Sequence, residues 1–252
     1  IHVATPEGPI GIMFVRTLRR LNIPFSTSLH TLFPEFVVIK KKAWYKIKTN
    51  YDNYIGFIKK KKFNQRFKPT NKIHKLKSKI YKKKSNQFIS TNNFLYFASG
   101  VSFKKRHKNY IEFEKNKWIK ISDTKKINHY ENNFIKIFKL FLKTKYIWGG
   151  KTFKGIDCSA LLQLFSYYNE TYYPRDTVDQ IRYSKKKRIT KKFKKGDIIF
   201  WKGHVAMCLN SKELIHAYGP EKKVLIMPIL QTIKRIEETA KLKVKKISSI
   251  KY

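Results

Sequence analysis

Three residues of this 252-residue chain have the types and the order that nucleophilic chemistry needs: Cys158, His204 and His216. A thiol attacks as its thiolate, and a helix N-terminus beside an imidazole lowers the thiol pKa below the free value of about 8.5. Cys158 stands in Asp157-Cys158-Ser159, directly before the apolar run Ala160-Leu161-Leu162, where a helix would begin. His204 and His216 follow 46 and 58 residues later, in two short apolar runs joined by Asn210-Ser211-Lys212-Glu213. Paired as strands, these runs set the imidazoles side by side. His204 then takes the thiol proton and His216 holds it in one tautomer, the orienting role of the third member of a triad. The competing reading is structural, since cysteine is among the most buried residue types. Cys208, inside Val205-Ala206-Met207-Cys208-Leu209, is assigned to the core on that ground. His2, His30, His74, His107 and His129 are given no role. No metal site is expected, because one cysteine and two histidines in separate strands are too few ligands at zinc spacing.

Positioning these groups takes a helix and a sheet. Leu161, Leu162, Phe165 and Tyr168 fall on one face at helical spacing, with Asp157 at the N-cap position. Ahead of them Phe134, Ile137, Phe138 and Phe141 repeat that spacing, and Gly149-Gly150 ends the segment. The runs beginning at Asp197, His204, Glu213 and Lys223 are short and bounded by Gly, Asn-Ser or Lys-Lys, the pattern of an antiparallel meander. Helix first and sheet after is an α+β order, expected over residues 128–252. From Phe36 to Asp123 the texture is different: β-branched and aromatic residues alternate with polar ones, with turns expected at Asp52-Asn53, Ser99-Gly100 and Lys115-Asn116. Trp44 to Ile47 and Trp118 to Ile121 share one pattern, which predicts a doubled small barrel over 31–70 and 71–127. Residues 1–30 read as an irregular leader or arm.

The net charge of +41, from 57 Lys+Arg against 16 Asp+Glu, makes a field that attracts anionic polymers. Its distribution argues against nucleic acid as the partner. Lys40 to Lys42, Lys59 to Lys62, Lys82 to Lys84 and Lys185 to Lys187 sit between apolar runs, as loops and strand ends do on a solvated surface. Two cysteines make no disulfide framework, and no apolar stretch approaches the roughly 20 residues of a membrane span. No secretory signal is visible, so a cytoplasmic location is expected, with the cell envelope as the alternative if the chain has lost an upstream segment.

Four blocks in order, "YIWGGKTFKGIDCSALLQ", "PRDTVDQ", "KKGDIIFWKGHVAMCL" and "ELIHAYGP", resemble the NlpC/p60 family of papain-like cysteine peptidases, which cleave cell-wall peptides. The resemblance implies an α+β papain-like domain, helices packed on an antiparallel sheet, with Cys158 as nucleophile, His204 as base and His216 as the polar third residue. It implies that Tyr146 donates to the oxyanion together with the backbone N–H of Cys158. It further implies substrate contacts from Asp157 and Ser159 to a free amino end, and from Arg175 and Thr177 to a γ-linked D-Glu carboxylate. The local alternatives are that Asp157 only caps the helix and that Arg175 pairs with Asp176 or Asp179. One position departs from the family pattern: Ala160 stands where glycine is usual. The N-terminal part resembles bacterial SH3-like domains, which in such relatives wall one end of the groove. The activity implied is hydrolysis of the γ-D-Glu–diamino acid bond of peptidoglycan-derived peptides, with no cofactor. A degenerate peptide or anionic-polymer binding module and a thiol acyltransferase are the rivals.

Overall fold

The structure, a computed structural model, describes residues 39–41, 44–59, 68–185 and 192–249. The expected leader over 1–30 lies outside these residues. The C-terminal part is an antiparallel five-stranded sheet with helices on both faces.

Three strands form the first N-terminal sheet: β1 (Ile39–Lys41), β2 (Trp44–Lys48) and β3 (Ile55–Lys59), in that order. Eight strands follow: β4 (Asn71–Ile73), β5 (Lys77–Lys84), β6 (Gln87–Tyr96), β7 (Gly100–Val101), β8 (Lys105–His107), β9 (Tyr110–Glu114), β10 (Lys117–Lys120) and β11 (Thr124–Lys126). They make one sheet of order β6-β5-β10-β9-β8 and another of order β11-β4-β7. Ile73, Val101, Ile111 and Ile119, drawn from both, share one core. The expected turns at Asp52-Asn53 and Lys115-Asn116 join β2 to β3 and β9 to β10, with Asn53 and Asn116 in the left-handed region at φ 56° and 51°. The turn expected at Ser99-Gly100 falls earlier. Phe97 and Ala98 turn inward to the core, Ala98 takes φ 64°, and Gly100 already opens β7.

Helix α1 (Phe134–Leu140) is followed by the short pair β12 (Lys151–Thr152) and β13 (Gly155–Ile156), then α2 (Cys158–Tyr168) and α3 (Thr177–Tyr183). The main sheet has β14 (Asp197–Trp201), β15 (His204–Cys208), β16 (Glu213–Tyr218), β17 (Lys223–Pro228) and β18 (Lys246–Ser249), in the order β17-β16-β15-β14-β18. Alternation along the strands builds two cores. Phe200, Val205, Met207 and Ile215 pack with Phe138, Leu161 and Phe165 of α1 and α2. Ile199, Ala206, Cys208 and Leu214 pack with Ile229 and Ile236 of α4 (Ile229–Ala240). Helix α4 goes beyond the elements expected from the sequence, although Ile229, Ile233 and Ile236 have helical spacing.

Both N-terminal parts dock on α2. Phe97 stacks on Tyr168 at 4.9 Å between ring centroids, and the buried ammonium of Lys72 donates to the Tyr168 carbonyl at the helix C-terminus, where a cation is favoured. From the β2–β3 turn, Tyr51 donates to the Thr171 carbonyl at 2.7 Å, and Asp52 accepts from Gln163 at 2.8 Å.

The approach to α2 leaves no room at Gly150. A Cβ there would lie 2.6 Å from the Gly155 carbonyl oxygen and 2.7 Å from that of Ile147. Gly219, by contrast, has the Tyr146 ring at an ordinary 3.6 Å. Gly150→Ala is expected to lower stability in urea denaturation by about 1–3 kcal/mol, as overpacking does, and Gly219→Ala to cost well under that.

Candidate active site

The site is organised around the Asp157 carboxylate, buried at 2% exposure between β13 and α2. Its Oδ1 accepts from the Ala160 amide at 2.8 Å, the Ser159 hydroxyl at 3.1 Å and Arg175 Nη1 at 3.1 Å. Its Oδ2 accepts from the Gly149 amide at 2.8 Å and Arg175 Nη2 at 2.6 Å. One side chain thus caps α2 and ties the Gly149-Gly150 turn and the segment before α3 to it. Burial opposes the charge of Arg175, but the adjacent Asp157 carboxylate overrides burial and holds the guanidinium protonated. Arg175 therefore pairs with Asp157, not with the sequence neighbours Asp176 or Asp179. Its Nη1 also donates to the Ser159 hydroxyl at 2.8 Å.

Cys158 is the first residue of α2, so its backbone N–H is among those a helix leaves without an intrahelical acceptor. Ala160, two residues on, takes ordinary helical geometry, and its amide receives the Asp157 cap. Cys158 lines a narrow cavity with Leu161, Val205, Met207 and His216.

The histidines come together through a tight hairpin. Gly203, at φ +75°, turns β14 into β15 and pairs Trp201 with His204. In β16 the register Met207 to Ile215 and Cys208 to Leu214 brings His216 onto the diagonal from His204. His204 Nε2 and His216 Nδ1 are 2.9 Å apart, within hydrogen-bond distance. Tyr218 stacks on His216 at 4.7 Å, and Trp201 lies 5.5 Å from His204. Burial lowers His204 to about 4. Burial, the neighbouring His204 and the charge of Arg235 lower His216 well below its ordinary value. Both rings are neutral near pH 7.

Tyr146 lies beside the strand that feeds Cys158, bridging to Ile156 and donating its amide to the Lys222 carbonyl at 2.8 Å. Thr177 opens α3 and is fully buried, as are Ser159 and, nearly, Arg175. Two glutamines without a role in the sequence reading complete the frame. Gln180 donates to the Ser159 and Pro174 carbonyls, each at 2.9 Å. Gln163 donates to Asp52 and, at 3.0 Å, to the Tyr173 carbonyl. Gln163 ends "CSALLQ", where a polar residue in an apolar helix is the sole sequence signal, and Gln180, in the "PRDTVDQ" block, sits among other polar residues of α3 and carries none. Among the described residues no group of three or more His, Cys, Asp or Glu is placed to hold a metal ion, and no helix is long and apolar enough to cross a membrane.

The α+β fold that carries this cysteine and histidine pair has a counterpart among solved proteins. A crystal structure of an NlpC/P60 family protein from Bacillus cereus superposes with a TM-score of 0.66 at 24% identity, over 83% of this chain and 77% of that one. Residues 143–238 match the model of the NlpC/P60 family. The chain is 35% identical over 118 residues to a gamma-D-glutamyl-L-lysine dipeptidyl-peptidase of Bacillus cereus, covering 43% of this chain and 34% of that protein. It is 32% identical over 88 residues to dipeptidyl-peptidase 6 of Lysinibacillus sphaericus, covering 35% and 32%. A probable endopeptidase NlpC homolog of Haemophilus influenzae is 34% identical over 84 residues, covering 32% and 45%. The matches thus span about a third to just under half of these curated relatives.

Removing one partner of a buried ion pair strands the other. Arg175→Met is expected to cost about 3–5 kcal/mol in urea denaturation. Acid acts on the histidines. They are held neutral in the fold while the unfolded chain takes up protons near pH 6.5. Their contribution is therefore complete above pH 6.5 and is lost as pH falls toward 4. The urea midpoint should drop over that window, and drop less in His204→Asn.

Proposed function

We propose that this protein is a cysteine peptidase that hydrolyses the γ-D-Glu–diamino acid bond of peptidoglycan-derived peptides. The observation that carries this reading is the 2.9 Å contact between His204 and His216, with His216 lining the cavity of a cysteine at a helix start. The similarity to the gamma-D-glutamyl-L-lysine dipeptidyl-peptidase of Bacillus cereus supports the substrate class.

In this mechanism His204 removes the proton of Cys158. The resulting thiolate is favoured by the helix N-terminus and by the imidazolium it creates. Sulfur attacks the scissile carbonyl carbon, and the oxyanion is met by the Cys158 amide and the Tyr146 hydroxyl. The carbon–nitrogen bond then breaks as His204 returns its proton to the leaving amine. Water, deprotonated by His204, cleaves the thioester and frees the acid and the thiol. His216 keeps the His204 ring in one orientation throughout. In this reading Asp157 and Ser159 face the substrate's amino end, and Arg175 and Thr177 the γ-linked D-Glu carboxylate, with Asp157 and Arg175 neutralising one another between them. The β2–β3 turn, whose Tyr51 and Asp52 hold to the Thr171 carbonyl and Gln163, is in this reading the part that closes one end of the groove.

The protein and its Cys158→Ala variant are to be incubated with L-Ala-γ-D-Glu-meso-diaminopimelate and followed by mass spectrometry. Free diamino acid is expected from the native chain and none from the variant. His204→Ala should lose about 10³-fold or more, as removal of a base does in other triads. No release by the folded, reduced native chain would refute the reading.

A further inference from the structure

We infer that Met227 is a positioning residue that fixes the tautomers of both histidines. The inference rests on the peptidase reading for its kinetic consequence, but its structural content stands apart from it. Met227, on β17, places its sulfur 3.3 Å from His216 Nε2. On the other side of the ring, His216 Nδ1 is 2.9 Å from His204 Nε2. These two contacts form one chain: Met227 Sδ, His216, His204.

The chemistry of the chain has one solution. A thioether has no hydrogen to give and is a weak acceptor only. The contact with Met227 is thus a hydrogen bond when His216 carries its proton on Nε2. In a neutral imidazole the other nitrogen is then a bare acceptor. His216 Nδ1 accepts, so His204 Nε2 donates. His204 is left with its proton on Nε2 and its lone pair on Nδ1. That is the nitrogen available for a thiol proton. When His204 becomes imidazolium, the Nε2–H bond to His216 is kept and strengthened by charge, so no ring has to turn and no second proton has to move during the cycle.

Among the described residues no carboxylate perturbs either ring. The face of His216 is covered by the Tyr218 ring, 10° from parallel. The nearest cation on α4, Arg235, is engaged with Glu221 at 2.7 Å and lies over Tyr218 at 5.5 Å. A carboxylate in place of the thioether would draw a proton or a charge onto His216. The apolar sulfur orients the ring while leaving it neutral, in keeping with the aliphatic packing of Met227 against the core below the sheet.

The test is nitrogen NMR of the protein labelled at histidine, in the native chain, Met227→Leu and Met227→Gln. Leucine keeps the volume and apolarity, so the fold is retained; glutamine restores an acceptor in its amide oxygen. In the native chain both histidines should show a protonated Nε2 and a bare Nδ1. In Met227→Leu the His216 signals should shift toward a tautomer mixture, His204 following, and kcat on the diaminopimelate peptide should fall roughly fivefold with KM unchanged, the loss of one ordinary hydrogen bond. Met227→Gln should recover both. Unchanged tautomers and kcat in Met227→Leu would overturn the inference. So would a native His216 with its proton on Nδ1. If the tautomers respond to Met227 as stated but the native chain cleaves no peptide, the positioning role holds and the peptidase reading alone fails.

Discussion

The carboxylate of Asp157 is the constraint on which the rest of the domain depends. It accepts five hydrogen bonds, from the Gly149-Gly150 turn, the first turn of α2 and the segment leading into α3. Burying a charge this deeply is tolerated only when it is paired and every lone pair is used. Arg175 supplies the charge and the backbone supplies most of the rest. The consequence reaches the next residue in the chain. With Asp157 fixed as the cap, Cys158 becomes the first residue of α2, beside a cavity that residues of β15 and β16 also line.

The second half of the site is held by the sheet. Gly203 makes the β14–β15 hairpin tight enough to set His204 at the first position of its strand, and the β15–β16 register delivers His216. Aromatic rings of Trp201 and Tyr218 pack the pair without offering it a charge. Burial therefore keeps both imidazoles neutral, and a neutral imidazole is the form that accepts a proton. The formation of a thiolate beside His204 would reverse this, since an opposite charge favours the imidazolium.

Much of this was legible in the residues. The capping aspartate, the apolar face of α2, the meander of short strands and the pairing of His204 with His216 all follow from local pattern and turn chemistry. What was hidden is long-range. Asp176 and Asp179 look like the natural partners of Arg175, and nothing local says that the chain folds it back on Asp157, eighteen residues earlier. Met227 lies in a run of apolar residues, where hydrophobic pattern records its bulk and is blind to its sulfur. The roles of Gln163 and Gln180 are equally invisible, because each bonds to carbonyls or carboxylates that only the tertiary structure brings near. The early turn at Phe97 and Ala98 has the same origin: packing against Tyr168 outweighs the glycine signal two residues on.

The central claim, that Cys158 works as a thiolate paired with His204, is tested most directly by the pH dependence of its alkylation by iodoacetamide, read by peptide mass spectrometry. Cys208, fully buried, serves as the internal unreactive thiol. The account predicts that Cys158 reacts at a rate already at its plateau well below the pH of about 8.5 at which a free thiol ionises, and that His204→Ala moves the transition up toward that value. A native chain whose Cys158 reacts only above pH 8.5, with or without His204, would contradict it.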